Sequence, residues 1–328
     1  VAAARAAGHP VRALLRRAPD RPAWPHDEGV TTLVADLADP ASQPAMAAAL
    51  EGVVAVIHAA ASLGGGDAAQ QRDTVAATSA LIAVIAARDP APRLVIISSL
   101  AVYNYASLPA GATLDETTPL EPEPGLRDAY TRGKLGQEAL AVQAAQTHGL
   151  DVRVLRPGAI IGAGRLRTAR LGSALGPVLI MPGGTARLPL VTDAACAAMA
   201  LRAATGPMGP SDVPPGPACG CLEAINAIAT DPPTQAEYIA LIAQAGWPWK
   251  TLRLPLKLAR APAQVLALVG LILPRLVRRL PGLLRLESFD ARFKPLHYAT
   301  ARARGRLGWR DPAPLEEAIA ALIAEARP

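Results

Sequence analysis

The sequence predicts an α/β protein built on a doubly wound parallel sheet, followed by a smaller mixed unit. Two observations carry the prediction. Through the first half, short β-branched runs alternate with alanine-rich stretches whose apolar residues recur at helical spacing, the pattern of successive strand–helix–strand units. The chain also has 328 residues, 51% of them hydrophobic and 18% charged, enough to bury a large core in one domain or two.

Taken in order, strands are expected at 11–15, 31–35, 54–58, 94–98 and 152–155, with helices at 40–50, 68–87 and 127–148 between them. These segments assign 1–157 to the doubly wound domain. After Arg156 and Pro157 the alternation loosens into a glycine- and proline-rich connection, a helix at 193–204 and a Pro-rich loop at 205–217. A strand at 225–228 and a helix at 234–245 follow, the helix opened by TQAE, where Thr and Glu three apart form a capping signal. A basic, apolar C-terminal region closes the chain. No internal repeat is present.

The net charge of +6 is spread as scattered arginines, and aromatic residues make up only 3%, so the clustered cations and stacking platforms of a nucleic-acid binder are missing. Cys196, Cys219 and Cys221 are too few and too closely grouped for a disulfide framework, and no His or Cys cluster at metal spacing accompanies them. They are expected to be reduced core residues, with no metal bound. Residues 1–9 lack a secretory h-region, which makes the cytoplasm the default location. The longest apolar run, at 265–273, has nine residues, against the roughly 20 that span a bilayer. Flanked by Arg260, Arg275, Arg278 and Arg279, it reads either as a helix buried in the second domain or as one lying at a membrane surface.

Tyr130 and Lys134 stand four apart in DAYTRGK at the start of a long helical stretch, which places both on one helix face. A phenol ionises at about 10 unaided, so acid/base work at neutral pH needs a neighbouring cation, and a lysine one turn away supplies one. An ordinary surface pair is the alternative. Lys134 is the only lysine before Lys250 in a chain that has four. Ser98 and Ser99 end a strand in VIISSLAVY, where a parallel sheet presents its ligand-facing residues. A hydroxyl there either bonds a substrate carbonyl or satisfies backbone groups at the strand end.

VIISSLAVY followed by LDETTPLEP and YTRGK resembles the catalytic stretch of extended short-chain dehydrogenases/reductases, the NAD(P)-dependent epimerase/dehydratase and reductase group. VADLADP at 34–40, VIHAAAS at 56–62, LRPGAIIGAG at 155–164 and RLGW at 306–309 are similar to further motifs of that family, so the resemblance covers essentially the whole chain. It implies a Rossmann-type fold in which 1–157 binds NAD(P) and 158–328 mainly binds substrate, some of its segments returning to the sheet. It further implies Tyr130 as general acid/base, Lys134 as the group that lowers its pKa and holds the nicotinamide ribose, and Ser99 as the hydroxyl orienting the substrate oxygen. Ser99 is preferred to Ser98 because it stands four residues before Tyr103, as in the family's Ser-x-x-x-Tyr run. Asp36 and Leu37 would lie against adenine, Ala59 and Ala60 against the cofactor backbone, and Pro157 near the carboxamide. Arg16 and Arg17 stand after VRALL, where NAD-preferring members carry an acid. Guanidinium groups there suit a 2′-phosphate, so the expected cofactor is NADP, with NAD as the alternative.

The family opens with a strand and a Gly-x-x-Gly-x-x-Gly turn, whereas VAAARAAGHPVRALLRR is similar to the helix after that turn running into the second strand. The expectation is a chain numbered from inside the first helix, with strands 11–15 and 54–58 each unpaired along one edge. Gly133 and Thr74 also stand where many members carry Ser and Asn. The leading function is hydride transfer between NADP(H) and a carbonyl or secondary alcohol, with a hydrophobic substrate suggested by the apolar C-terminal region. A nucleotide-sugar epimerase or dehydratase is the second reading, and a non-catalytic NADP-binding or scaffold protein the third. Homodimerisation through the long helices would be usual for the family.

Overall fold

The computed structural model of the chain describes residues 1–18, 24, 27–207, 222–244, 246, 250–272 and 285–325, with backbone alone at 270–272. Cys219, Cys221, Arg275, Arg278, Arg279 and most of the Pro-rich loop lie outside the described residues. The main sheet has the order β11–β6–β4–β3, formed by β3 (Ala55–His58), β4 (Arg93–Ile97), β6 (Val152–Pro157) and β11 (Leu222–Ala227). All of its pairings are parallel. A separate parallel pair joins β1 (Val11–Leu15) to β2 (Val30–Val34). Among the described residues, β1 and β3 each have a strand on one side only, and Ile57 on β3 stays 40% exposed.

The alternation of side chains along each strand builds two cores, one per face. Leu94, Ile96, Val152 and Val154 point to the face covered by α4 (Ala77–Ala86) and α5 (Ala129–His148). Ala141, Ala144 and Ala145 of α5 lie in that core, where a methyl group lets helix and sheet approach closely. Val95, Leu155 and Ile225 point the other way, against α6 (Asp193–Thr205) and α10 (Ala301–Leu307). The doubly wound arrangement is thus present, and β11 and α10 show that segments beyond residue 157 pack into it.

Local chemistry sets the helix ends. Asp128 caps α5 by accepting from Thr131 N at 2.8 Å, and Gly149 ends it in the left-handed conformation, φ 64°, which costs a glycine no Cβ clash. Before α4, helix α3 (Asp67–Gln70) continues through a π-helical turn over Gln71–Ala76. Thr234 and Glu237 form the anticipated capping box of α7 (Gln235–Ala243).

Several short strands were not legible in the sequence. They are β5 (Thr113–Leu114), β7 (Ala159–Ile161), β8 (Ser173–Leu175), β9 (Val178–Pro182), β10 (Leu190–Thr192), β12 (Lys250–Leu254) and β13 (His297–Tyr298). Each has two to five residues, too few for a clear alternation, and apart from the antiparallel pair of β8 and β9 their partners are distant, as where β13 pairs with β5. The apolar run at 265–273 falls within and just beyond α8 (Leu256–Ile272), which is half-covered rather than buried. Ala263 packs with Phe289 and Phe293 of α9 (Leu286–Phe293), while Leu258, Val265 and Leu268 are 66%, 58% and 65% exposed. Among the described residues no helix is long and apolar enough to cross a membrane.

Candidate active site

The end of β4 and the first turns of α5 bring Ser99, Tyr130 and Lys134 to one place. Ser99 follows the strand in extended conformation and caps a short helical turn by accepting from Ala101 N at 3.1 Å. Its hydroxyl also stands beside the Tyr130 phenol. Burial raises the pKa of that phenol, the Ser99 hydroxyl opposes the rise, and Asp128 adds to it. Ser98 turns the other way, its hydroxyl donating to Glu138 Oε1 at 2.5 Å. The two serines are therefore divided between the site and the interior by strand alternation, Ser99 facing the phenol.

Lys134 lies on the same helix face as Tyr130, but its ammonium is directed at Ile97 O, 2.6 Å away, and Gln137 Oε1, 2.9 Å away. The forces acting on the phenol come from burial, Ser99 and Asp128. Burial lowers the Lys134 pKa to about 8, with Glu138 acting in the opposite sense.

Behind this group sits a buried ion pair that sequence reasoning missed. Arg156 on β6 bonds both oxygens of Glu138, at 3.0 and 2.6 Å, and reaches Tyr103 OH at 2.9 Å. Tyr103 in turn donates to Asn226 Oδ1 at 2.7 Å. Ser98, Glu138, Arg156 and Tyr103 thus lock three sheet strands and α5 together beneath the site. The signals were there: Glu138 lies one turn beyond Lys134 on the same face, and Arg156 is one of two arginines in a strand whose other residues are apolar.

The departures at positions 74 and 133 form a single packed cluster. A Cβ on Gly133 would come within 2.5 Å of Gln70 Oε1, so the absent side chain leaves room for Gln70. That oxygen accepts from Thr74 Oγ1 at 3.0 Å, and Thr74 Oγ1 accepts from Ser62 N at 3.0 Å. Gln70 Nε2 donates to Ser62 O at 2.9 Å. Together they clamp the loop after β3, in which Ala59 and Ala60 are exposed.

At the ends of β1 and β2, Arg16 bonds Asp36 at 3.2 Å and Asp73 at 3.1 Å. Arg72, which the sequence did not single out, contacts the same two carboxylates at 2.6 and 2.5 Å. The bond from Arg72, then that from Ala38 N, holds the Asp36 carboxyl below its usual range, and Arg16 adds to this. Leu37 is half-buried beside them, Arg17 is exposed apart from the cluster, and Pro157 is buried at the end of β6.

The residues present fit a nicotinamide dinucleotide. Exposed methyl side chains at Ala59 and Ala60 let a ligand approach the strand ends, polar groups converge at Asp36 and Arg16, and a half-buried phenol beside a serine stands at the end of β4. Arg292 of α9 stands 3.9 Å from Asp128. Burial lowers its pKa and Asp128 opposes this, while Arg170 and Arg127 add repulsion. By contrast, a cleft of about 290 Å³ lined by Leu108, Leu256, Phe289 and Lys294 includes none of the three catalytic candidates. Among the described residues no group of three or more His, Cys, Asp or Glu could hold a metal ion.

Comparison with known proteins places the fold. A family model described as the NAD dependent epimerase/dehydratase family matches residues 1–193. A UDP-glucose 4-epimerase of Thermus thermophilus, solved with NAD, is 16% identical, with 98% of this chain and 93% of that chain covered at a TM-score of 0.66. A UDP-N-acetylglucosamine 4-epimerase of Bacillus cereus is 15% identical, with 100% and 94% covered at 0.66. A UDP-glucuronic acid 4-epimerase of Bacillus cereus, solved with UDP-glucuronic acid and NAD, is likewise 15% identical, with 99% and 93% covered at 0.66. At these identities the likeness is one of fold. No curated relative matches the chain by sequence.

Proposed function

The chain belongs to the NAD dependent epimerase/dehydratase family, and from that premise we propose that it moves a proton at a carbonyl or secondary alcohol through Tyr130 while a bound dinucleotide exchanges hydride with the same carbon. The observation that carries this reading is the convergence of Ser99, Tyr130 and Lys134 at the end of β4, with the Ser99 hydroxyl acting on the phenol and Lys134 one turn away. Tyr130 holds the proton at its phenol oxygen, since burial keeps the phenol neutral. Ser99 orients the substrate oxygen toward that proton. Lys134 commits two of its three N–H donors to Ile97 and Gln137, leaving one for a ribose hydroxyl.

NADP(H) is the cofactor we favour over NAD, because Arg16 and Arg72 stand together at the end of β1, where a 2′-phosphate would lie. Two carboxylates share that cluster, so the preference is a matter of balance between them. Arg292 supports a nucleotide-sugar substrate as a specific second reading. It is half-buried against Asp128, in the field of Arg127 and Arg170, and an anionic diphosphate would relieve that repulsion. Solved neighbours of like fold carry UDP-sugars. The uncovered stripe of α8 fits a membrane-surface contact better than a buried helix.

The test compares the chain with its Tyr130→Phe variant, supplying NADPH with a ketone in one arm and NAD with UDP-glucose in the other. Turnover should fall by about 10²–10⁴-fold in the variant, with cofactor binding retained. Net nicotinamide oxidation identifies a reductase, and sugar interconversion without it identifies an epimerase. Full activity in the variant would refute the role of Tyr130.

A further inference from the structure

Lys134 is anchored to the interior by a column of side chains whose hydrogen-bond directions are set from its far end. Thr78, fully buried on α4, donates its hydroxyl proton to Thr74 O at 2.6 Å. With that one proton committed, its oxygen only accepts. Two nitrogens reach it, Gln137 Nε2 at 3.0 Å and His58 Nε2 at 2.8 Å. The Gln137 amide therefore has its nitrogen inward and its oxygen outward, and the oxygen accepts from Lys134 Nζ at 2.9 Å. His58 follows as a neutral imidazole protonated on Nε2, which agrees with its pKa being lowered to about 4 by burial first and the Lys134 charge second.

We propose that Gln137, Thr78 and His58 are positioning residues that hold the Lys134 ammonium at the end of β4 by presenting the Gln137 carbonyl oxygen to it. Neither Gln137 nor Thr78 is exposed at all, and His58 is 3% exposed, so the column is sealed from water and its directions persist. Three elements contribute: β3 gives His58, α4 gives Thr78, and α5 gives both Gln137 and Lys134. The charged groups bearing on the lysine are few. Glu138 on its own helix favours the cation, but both Glu138 oxygens are engaged by Arg156 from β6. His58 from β3 is neutral, and β4 offers the uncharged Ile97 carbonyl. A charged ammonium in this surrounding depends on its oriented neutral acceptors, and the Gln137 oxygen is one of two that it contacts.

The proposal rests on Lys134 as the working cation of the site, but its test reads the lysine itself and needs no turnover. Only four lysines are present, so side-chain NMR of lysine-labelled protein resolves them, and Lys134→Arg assigns the signal. Wild-type Lys134 should titrate at about 8. Gln137→Leu and Gln137→Met remove a charge-assisted acceptor and should each lower that value by about one unit. Thr78→Val frees the amide to turn and should lower it by part of that amount, whereas Thr78→Ser should restore the wild-type value and Gln137→Glu should raise it. A merely structural role would move the melting temperature without this ordered series. Should the leucine variant fail to fold, the methionine and Thr78→Val variants decide. An unchanged Lys134 titration in the folded variants overturns the proposal. A shifted titration in a chain inert toward both substrate classes would keep the column and overturn the catalytic reading instead.

Discussion

Replacing Glu138 by leucine strands the guanidinium of Arg156. In the native protein the two side chains are 4% and 8% exposed and meet at 2.6 Å, with a second contact at 3.0 Å. The remaining guanidinium bond goes to Tyr103 OH, whose ring centre lies 4.8 Å from the guanidinium carbon. Neither contact neutralises a charge. Removing one partner of such a pair costs about 3–5 kcal/mol, and at about 2–4 °C per kcal/mol for a large domain the melting temperature should drop by roughly 10 °C. Arg156→Met in the same background removes the stranded charge and fills the space with an apolar chain, so much of the loss should return. Equilibrium urea denaturation of the wild type, both single variants and the double variant measures this as a coupling energy, expected at about 2 kcal/mol or more. Losses that simply add, with coupling below about 0.5 kcal/mol, would refute the argument that this pair braces the sheet beneath the site.

Two further expectations concern charge elsewhere. His58 is buried with its pKa lowered to about 4, from 6.5, so the native state excludes a proton that the unfolded state takes up. Its contribution to stability is intact above pH 6.5 and lost as pH falls toward 4. Between pH 7 and 5 the difference is about 2 kcal/mol; denaturation curves of wild type and His58→Gln should diverge accordingly, and parallel pH dependences would show that His58 does not titrate as described. At the other end of the site, Arg16→Ala and Arg72→Ala should each weaken NADPH binding by about tenfold, near 1.4 kcal/mol, while leaving NADH within a small factor. Equal losses for both cofactors, measured by fluorescence titration, would remove these arginines from any 2′-phosphate contact.

How much of this was legible follows from the range of the interactions. The long strands and helices were readable because each is built from residues near one another in sequence: the apolar run at 94–98, the alanine face of α5, and the Asp128 and Gly149 stops around it. Tyr130 and Lys134 could be paired because helix geometry converts a spacing of four into a shared face. Ser99 could be separated from Ser98 by its place in a motif, and strand alternation now gives the physical basis, one hydroxyl facing Tyr130 and the other Glu138.

What the sequence could not supply were contacts between distant segments and the directions of individual polar bonds. Gly133 and Thr74 looked like two unrelated departures until Gln70 was seen between them. Arg72 joined the cluster around Asp36 only when α3 and its π-helical continuation came down beside β1. Lys134 shares a face with Tyr130 by spacing alone, yet where its ammonium points is decided by Ile97 on β4 and by Gln137. The sequence by itself determined the long elements, the two-faced sheet and the Ser, Tyr and Lys of the site, because local periodicity and spacing encode them. Only the tertiary structure decided which charges neutralise one another and which way each donor turns, because those depend on partners that the chain brings together from separate elements, tens of residues apart for Arg72 and Asp36 and more than a hundred for Tyr103 and Asn226.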